Sequence, residues 1–348
     1  MKAWQLEHVS NIDVGSRPLN LREVPVPVAK GDEILIKVIC CGVCHTELDE
    51  VEGRTPPPQY PIVPGHQVIG IVHSVGEGAV RFKTGVRVGV AWIFHACGVC
   101  EYCLSGRENL CSDFVATGRD RNGGYAEYMI AKESFVFPIP DALSDIEAAP
   151  LLCAGAIGYR SIKLAGVRDG MKLGLCGFGA SGHLVAKVAL HLFPHLKLYV
   201  FARSLQERTF AAQLGATWAG DHAEEPPAKL DSIIDTTPVW NTAVNCLRYL
   251  KPGGRLVINA IRKEAGDQSA LLNLRYEDHL WLEKEIKSVA NITRADVDEF
   301  LNIIAHTHIR PHTIVYSFNE ANEALCDLKN KAITGAKVLR MVDTSTLR

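Results

Sequence analysis

Four cysteines, Cys97, Cys100, Cys103 and Cys111, form the pattern Cys-x2-Cys-x2-Cys-x7-Cys. Four thiolates this close can wrap one tetrahedral ion, with Gly98 and Gly106 easing the bends. A closed set of four sulfurs leaves no position for a substrate, so the pattern predicts a structural zinc. An iron–sulfur cluster could use similar ligands, but no second cysteine cluster favours it. Cys44 belongs to another segment, Cys41-Gly42-Val43-Cys44-His45-Thr46-Glu47, which follows the alternating run Ile34 to Ile39. His66 lies in Pro64-Gly65-His66-Gln67-Val68-Ile69-Gly70, and Cys153 in Pro150-Leu151-Leu152-Cys153-Ala154-Gly155. Spacing alone does not join these three. Cys40, Cys41, Cys176, Cys246 and Cys326 lie in or beside apolar stretches and read as small buried hydrophobes.

A second chemistry-bearing pattern is Gly177-Phe178-Gly179-Ala180-Ser181-Gly182, a G-x-G-x-x-G turn. A short apolar run precedes it. Leu184, Val185, Val188, Ala189 and Leu192 follow at helical spacing, and Pro194 stands where a helix should stop. Leu198-Tyr199-Val200-Phe201 reads as the next strand. This βαβ unit is the dinucleotide-binding fingerprint. Gly177 allows the tight turn, Gly179 lets the backbone approach a pyrophosphate, and Gly182 permits close helix–strand packing. The helix N-terminus, with Phe178, Ala180 and Ser181 around it, then faces the phosphate charge. An NAD site normally carries Asp or Glu about twenty residues past the glycines. Here the chain reads Phe201-Ala202-Arg203-Ser204, then Arg208. A guanidinium pairs well with a phosphate dianion. NADP(H) is therefore expected over NAD(H), with Arg203 and Ser204 on the 2′-phosphate and Arg208 in support. The alternative is that Arg203 stacks on adenine or faces solvent and NAD(H) is accepted.

Other elements must position these groups. Asp231–Asp235 reads as a strand, Asn241 to Leu250 as a helix closed by Lys251-Pro252-Gly253-Gly254, and Arg255 to Ala260 as another strand. Alternating elements with short turns predict a parallel, doubly wound sheet. The first 150 residues show many short strands, frequent Gly and Pro and few helical periods, which predicts a β-rich domain carrying both cysteine sites. The length of 348 residues is itself more than one core usually serves. The composition, 47% hydrophobic and 22% charged, is that of a globular chain. With 37 basic and 39 acidic side chains, it lacks the basic excess of a general nucleic-acid binder. No apolar run is long enough to suggest a membrane span, and the polar N-terminus predicts no signal peptide. A reducing, cytoplasmic home follows as the expectation, in which eleven cysteines are not disulfides.

Taken together, Cys44-His45-Thr46, Gly65-His66, the lobe 97–111, Asn122-Gly123-Gly124-Tyr125-Ala126-Glu127-Tyr128, Cys153-Ala154-Gly155 and the glycine turn resemble the zinc-dependent medium-chain alcohol dehydrogenases over essentially the whole length. The resemblance implies a GroES-like β-rich catalytic domain, residues 1–150 and 293–348 with a structural-zinc lobe at 95–113. A Rossmann nucleotide-binding domain, residues 151–292, is inserted in it. It also joins the scattered ligands: Cys44, His66 and Cys153 fall where that family holds its catalytic zinc, with one position left open. The implied reaction is hydride transfer between a primary or small alcohol, or its aldehyde, and the nicotinamide. Thr46 matches the family's proton-passing hydroxyl, its alternative role being a helix N-cap. His45 falls among the cofactor-binding positions.

This sequence departs from the family pattern at four places. Gln67 stands where the family usually has Glu, and so removes one charge beside a zinc that two thiolates already balance. Glu47 replaces the Asp that orients the ligand histidine, and one extra methylene can still serve. Asp49 replaces a His that ends the proton relay. Ile157 replaces a Thr behind the nicotinamide and loses the hydroxyl. Trp92 resembles a pocket aromatic of small-alcohol members, its alternative role being ordinary core packing. Dimers and tetramers both occur among such proteins, so a homodimer or homotetramer is expected, with no nucleic-acid or membrane partner. Two other readings compete: a zinc-free quinone or enoyl reductase, and a non-enzymatic redox sensor. Metal analysis separates them, with about two zinc ions per chain expected for the dehydrogenase and none for the zinc-free reductase.

Overall fold

The structure, a computed structural model, describes residues 1–330 and 335–341. The chain divides into two compact units, Met1–Ala156 with Ile292–Arg348, and Ile157–Asn291. Within the span 293–348 expected to complete the catalytic domain, residues 331–334 and 342–348 lie outside the described residues. Residues 151–156, expected in the nucleotide-binding domain, belong instead with the first unit. Packing explains the difference: Leu151 and Leu152 are fully buried, and a Cβ on Gly155 would come within 2.3 Å of the Phe300 ring.

In the first unit the alternating apolar run becomes the strand Glu33–Val43. It pairs antiparallel with Val68–Val75 along one side. On the other side it takes Tyr128–Lys132 at its start and Ala336–Arg340 at its end, again antiparallel. Ala336–Arg340 carries Thr313–Ser317 parallel to it, so the C-terminal segment completes the N-terminal sheet. Two side-chain ties hold that closure. Trp4 Nε1 donates to the Phe318 carbonyl at 2.7 Å. Asn322 accepts from the Leu19 N–H at 2.9 Å and donates to its carbonyl at 3.0 Å.

The ends of two neighbouring strands set up the chemistry. Glu33–Val43 runs directly into Cys44, which caps helix α1 (His45–Val51). Val68–Val75 begins immediately after His66 and Gln67, and the Gly42 N–H donates to the Gln67 carbonyl at 2.9 Å. The cysteine lobe is a separate small element built on Ile93–His95 and Val115–Ala116. It is tied down by the buried Glu108, which accepts from the Arg294 backbone N–H at 2.8 Å and from its Nε at 3.1 Å.

The second unit is a parallel six-stranded sheet among the described residues. Its strands are β1 (Lys172–Cys176), β2 (Lys197–Phe201), β3 (Trp218–Gly220), β4 (Leu230–Asp235), β5 (Leu250–Ile258) and β6 (Glu285–Ser288). Their order is 3-2-1-4-5-6, the doubly wound arrangement. Helix α2 (Ala180–Leu192) follows the glycine turn and stops before Pro194. Helix α3 (Leu205–Gln213) follows β2. The helix expected over 241–250 ends at Leu247, and Leu250 already pairs with Leu230. Lys251–Gly254 is therefore not a closing turn but an insertion within β5: the register jumps from Leu250 to Arg255, and Gly253 has φ +69°.

Asn322→Ala strips both partners from the Leu19 backbone, 303 residues away in sequence. It is expected to cost about 2 kcal/mol of stability, read as a lower midpoint of urea unfolding.

Candidate metal centre and cofactor turn

Cys44, His66 and Cys153 come together in the first unit, with one donor atom from each lying within 4.8 Å of the others. The two sulfurs are 3.9 Å apart. His66 is buried, and its Nδ1 lies 2.6 Å from Glu47 Oε1. The other oxygen of the same carboxylate accepts the Cys44 backbone N–H at 2.8 Å. Glu47, fully buried at the third position of α1, thus orients two of the three donors at once. With Nδ1–H engaged, His66 Nε2 presents a lone pair. That nitrogen is buried and has no hydrogen-bond partner among the described residues.

The titration of the group reflects a shortage of positive charge. A hydrogen bond from Cys153 holds the Cys44 thiol well below its usual range despite burial, helped by His66. The contact with Cys44 and burial push Cys153 well above it. Burial pushes Glu47 up, against the pull of His66. Burial opposes charge on His66 too, but the charges of Glu47 and Cys44 and the Glu47 hydrogen bond outweigh it, and the imidazole is raised. A soft dication on two sulfurs and an imidazole supplies the charge this set lacks, so the residues fit zinc.

The remaining expected residues of this unit are distributed as follows. Thr46 is two residues inside α1, since Cys44 takes the N-cap position, and its Oγ1 lies 3.6 Å from Cys44 Sγ. Asp49 is buried and accepts from Arg54 Nε at 2.5 Å. His45 is exposed at the first position of the helix. Gln67 is buried over Gly42, where a Cβ would come within 2.4 Å of Gln67 Oε1. The Trp92 ring stands 6.4 Å from the His66 ring and 5.7 Å from that of Phe114. Its Nε1 is buried without a hydrogen-bond partner among the described residues. Gly65 has φ +100° and lies so close to Tyr125 that a Cβ would approach Cδ1 to 2.4 Å.

The four lobe cysteines form a second group, with all four sulfurs within 4.8 Å of one another. Backbone N–H groups of Val99 and Cys100 bring the Cys97 thiol down to about 7. Burial pushes Cys103 up to about 12. Cys97 N–H donates to Cys111 Sγ at 3.4 Å. A closed thiolate set with N–H donors already on its sulfurs fits a structural zinc.

The second unit holds the glycine turn. Gly177 has φ +83°, and a Cβ there would meet Thr236 Oγ1 at 2.7 Å. A Cβ on Gly182 would meet the Gly177 carbonyl at 2.3 Å. At Gly179, which caps α2, nothing lies within 4 Å of such a Cβ, so the helix N-terminus is bare and fits a pyrophosphate. Ala180 and Ser181 open that helix. Phe178 follows Gly177 in the turn. Its ring is buried 5.9 Å from the Phe210 ring, which leaves its backbone for any cofactor contact. Past β2, Ser204 caps α3: it accepts from the Glu207 N–H at 3.1 Å and donates to Glu207 Oε2 at 2.9 Å. Arg208 lies 3.6 Å from Glu224, whereas exposed Arg203 has no ion-pair partner among the described residues. Ile157 belongs to this unit.

Residues 30–141 match the alcohol dehydrogenase GroES-like domain. The chain is 41% identical to the Mycobacterium tuberculosis protein named probable alcohol dehydrogenase AdhA, covering 97% of each. An alcohol dehydrogenase of Geobacillus stearothermophilus is 34% identical over 93% of this chain and 96% of its own length. The chain belongs to the zinc-dependent medium-chain alcohol dehydrogenase family. A solved cinnamyl alcohol dehydrogenase of Sorghum bicolor has the same fold, with a TM-score of 0.81 at 26% identity over 97% of both chains. This dehydrogenase is thus an oxidoreductase acting on alcohols. Among its described residues no helix is long and apolar enough to cross a membrane.

Sequence reasoning about this dehydrogenase missed two features. Glu50, to which the sequence assigned no role, is buried in α1. Glu108 anchors the lobe through Arg294, 186 residues away, a pairing that no spacing signals. Glu47→Ala is expected to weaken metal binding at the Cys44–His66–Cys153 centre about 10–100-fold. Chelator competition measures it, with the four-cysteine centre, which Glu47 does not touch, keeping its metal.

Proposed function

We propose that this chain is a zinc-dependent alcohol dehydrogenase and aldehyde reductase that uses NADP(H), with one catalytic and one structural zinc. Cys44, His66 and Cys153 hold the first ion, and Cys97, Cys100, Cys103 and Cys111 the second. The observation carrying the reading is the bare His66 Nε2, buried between two thiols with its opposite nitrogen fixed by Glu47. A zinc held there would supply a Lewis acid for the substrate oxygen, and a nicotinamide bound at the glycine turn would supply the hydride chemistry.

The chain's own residues do the rest. Glu47 fixes the tautomer of His66 and the backbone of Cys44. The Thr46 hydroxyl, beside Cys44, moves the proton of the substrate oxygen. Asp49 is held by Arg54, which makes it a poor relay. Trp92, beside His66, narrows the site toward small or unbranched substrates. In the second unit the turn Gly177–Gly182 receives the pyrophosphate, and Ile157 packs on the nicotinamide. The unpaired guanidinium of Arg203 takes the 2′-phosphate. Ser204 contributes only as far as its helix cap allows, and Arg208 adds charge. The eleven free cysteines favour a reducing, cytoplasmic home. A homodimer or homotetramer is supported by the edge strand β6, exposed at every residue, and by exposed Tyr276, Trp281 and Leu282 nearby.

A panel of alcohols and aldehydes assayed with both cofactors tests the reading. We expect kcat/KM to be higher with NADPH than with NADH. Arg203→Ala should lower the NADPH value about tenfold or more while sparing NADH, the size of a lost charge-assisted hydrogen bond. A preference for NADH would refute the cofactor assignment.

A further inference from the structure

The strand order 3-2-1-4-5-6 of the second unit reverses between β1 and β4. A doubly wound sheet binds a dinucleotide across that crevice, one mononucleotide on each half. Gly177 follows β1, and Asp235 ends β4. The loop 236–239 comes next. Both the N–H and the hydroxyl of Thr236 donate to the Cys176 carbonyl at 2.9 Å, which ties the loop to the end of β1. A Cβ on Gly177 would come within 2.7 Å of Thr236 Oγ1 and 3.1 Å of Thr237 Cγ2, so this loop walls the glycine turn.

Behind the wall lies a buried ion pair. Lys263, from the segment after β5, donates to Asp235 Oδ2 at 2.6 Å, and the two side chains are 7% and 0% exposed. It also donates to the carbonyls of Thr237 at 2.9 Å and Val239 at 3.0 Å. An ammonium has three donors, so all of them are engaged within the protein. The other Asp235 oxygen accepts from the Thr237 N–H at 2.9 Å and from its hydroxyl at 2.7 Å. A buried ion pair is costly to desolvate and often adds little stability over apolar side chains of the same volume. What this pair fixes is geometry: apart from the bond joining its members, its side-chain bonds go to Thr237 and Val239, in the loop against the glycine turn.

We propose that Asp235 and Lys263 are positioning residues for the nicotinamide half of the cofactor, holding the loop 236–239 where the dinucleotide crosses from β1 to β4. The role rests on the dehydrogenase reading above. In that reading β1 to β3 take the adenosine half, with the pyrophosphate on the glycine turn and the 2′-phosphate on Arg203. The half formed by β4 to β6 is left for the nicotinamide mononucleotide. The loop after β4 is the part of that half that packs against the turn. With its donors engaged within the protein, Lys263 acts on the cofactor through the loop backbone.

Lys263→Met removes the three donors and keeps an unbranched stem. Adding Asp235→Asn removes the charge that this leaves unpaired. Binding is read without substrate, from the fluorescence of NADPH and of NADH on titration. Adenosine diphosphate, titrated by calorimetry, probes the first half alone. In Lys263→Met the Kd of both dinucleotides is expected to rise about tenfold, by the same factor for each, the size of a lost charge-assisted hydrogen bond. Equal loss separates this role from that of Arg203, which bears on NADPH alone. The Kd of adenosine diphosphate should stay at the wild-type value. The double variant should unfold at a higher temperature than Lys263→Met yet keep the raised Kd, because charge balance is restored and the donors to the loop are not. A folded Lys263→Met protein with the wild-type Kd for both dinucleotides would overturn the proposal. So would an equal weakening of adenosine diphosphate, the mark of a loosened domain, or a double variant that regains the wild-type Kd. Should Lys263→Met fail to fold, the double variant decides by the same three titrations. Wild-type protein that binds neither dinucleotide would overturn the dehydrogenase reading itself. A wild type that binds both and is matched by Lys263→Met overturns only the role of the pair.

Discussion

Negative charge kept away from water is the constraint on which the first unit depends. Cys44, Cys153, Glu47 and Glu50 converge on a single imidazole, and every one of them sits in or beside the buried core. Such a set is unstable unless protons or a cation compensate it. The groups meet in pairs: the Cys44 and Cys153 sulfurs are 3.9 Å apart, and Glu47 Oε1 lies 2.6 Å from His66 Nδ1. A bound dication would compensate the remainder. The lobe at 97–111 meets the same constraint with sulfur alone, and there backbone N–H groups supply the partial positive charge.

The backbone that brings these groups together is economical. Two adjacent antiparallel strands deliver Cys44 and His66 at neighbouring ends, because the Gly42 N–H bonds the Gln67 carbonyl at that point of the register. Glycine is required where chains crowd. A side chain at Gly42 would strike Gln67, and one at Gly65 would strike Tyr125. Cys153 arrives on the π-helical turn Leu151–Gly155, an element enriched at functional sites. The third donor therefore comes from a widened helical turn, whereas the first two come from strand ends.

In the second unit the physical theme is bare backbone rather than buried charge. Gly177 and Gly182 press against each other so that α2 can start close to β1, and Gly179 leaves its N-terminus uncovered. At the end of β2, hydrogen bonding competes with charge. Ser204 and Glu207 satisfy each other as a helix cap, whereas the exposed guanidinium of Arg203 has no ion-pair partner among the described residues.

How much of this could be read from residue order follows from how local each feature is. The four-cysteine lobe and the glycine turn are each confined to a short segment, so spacing alone carries their chemistry, and the apolar periods around them carry the strands and helices. Glu50 shows the opposite case. Its neighbours Leu48 and Val51 mark α1 as half apolar, yet nothing local says that the acidic half is buried as well. The Leu250–Arg255 register jump was hidden for a related reason, since Pro252 and Gly253 look like the end of an element until β4 is paired beside them. The sequence by itself determined the element types, the two-part organisation and the sulfur and glycine motifs, because these depend on neighbours within a turn or two. Spacing alone did not join Cys44, His66 and Cys153, which the family resemblance brought together, and only the tertiary structure decided that one Glu47 carboxylate holds two of them and that Glu50 is shut away from solvent. Those facts depend on which distant strands pair, and strand pairing is set by burial across the whole sheet.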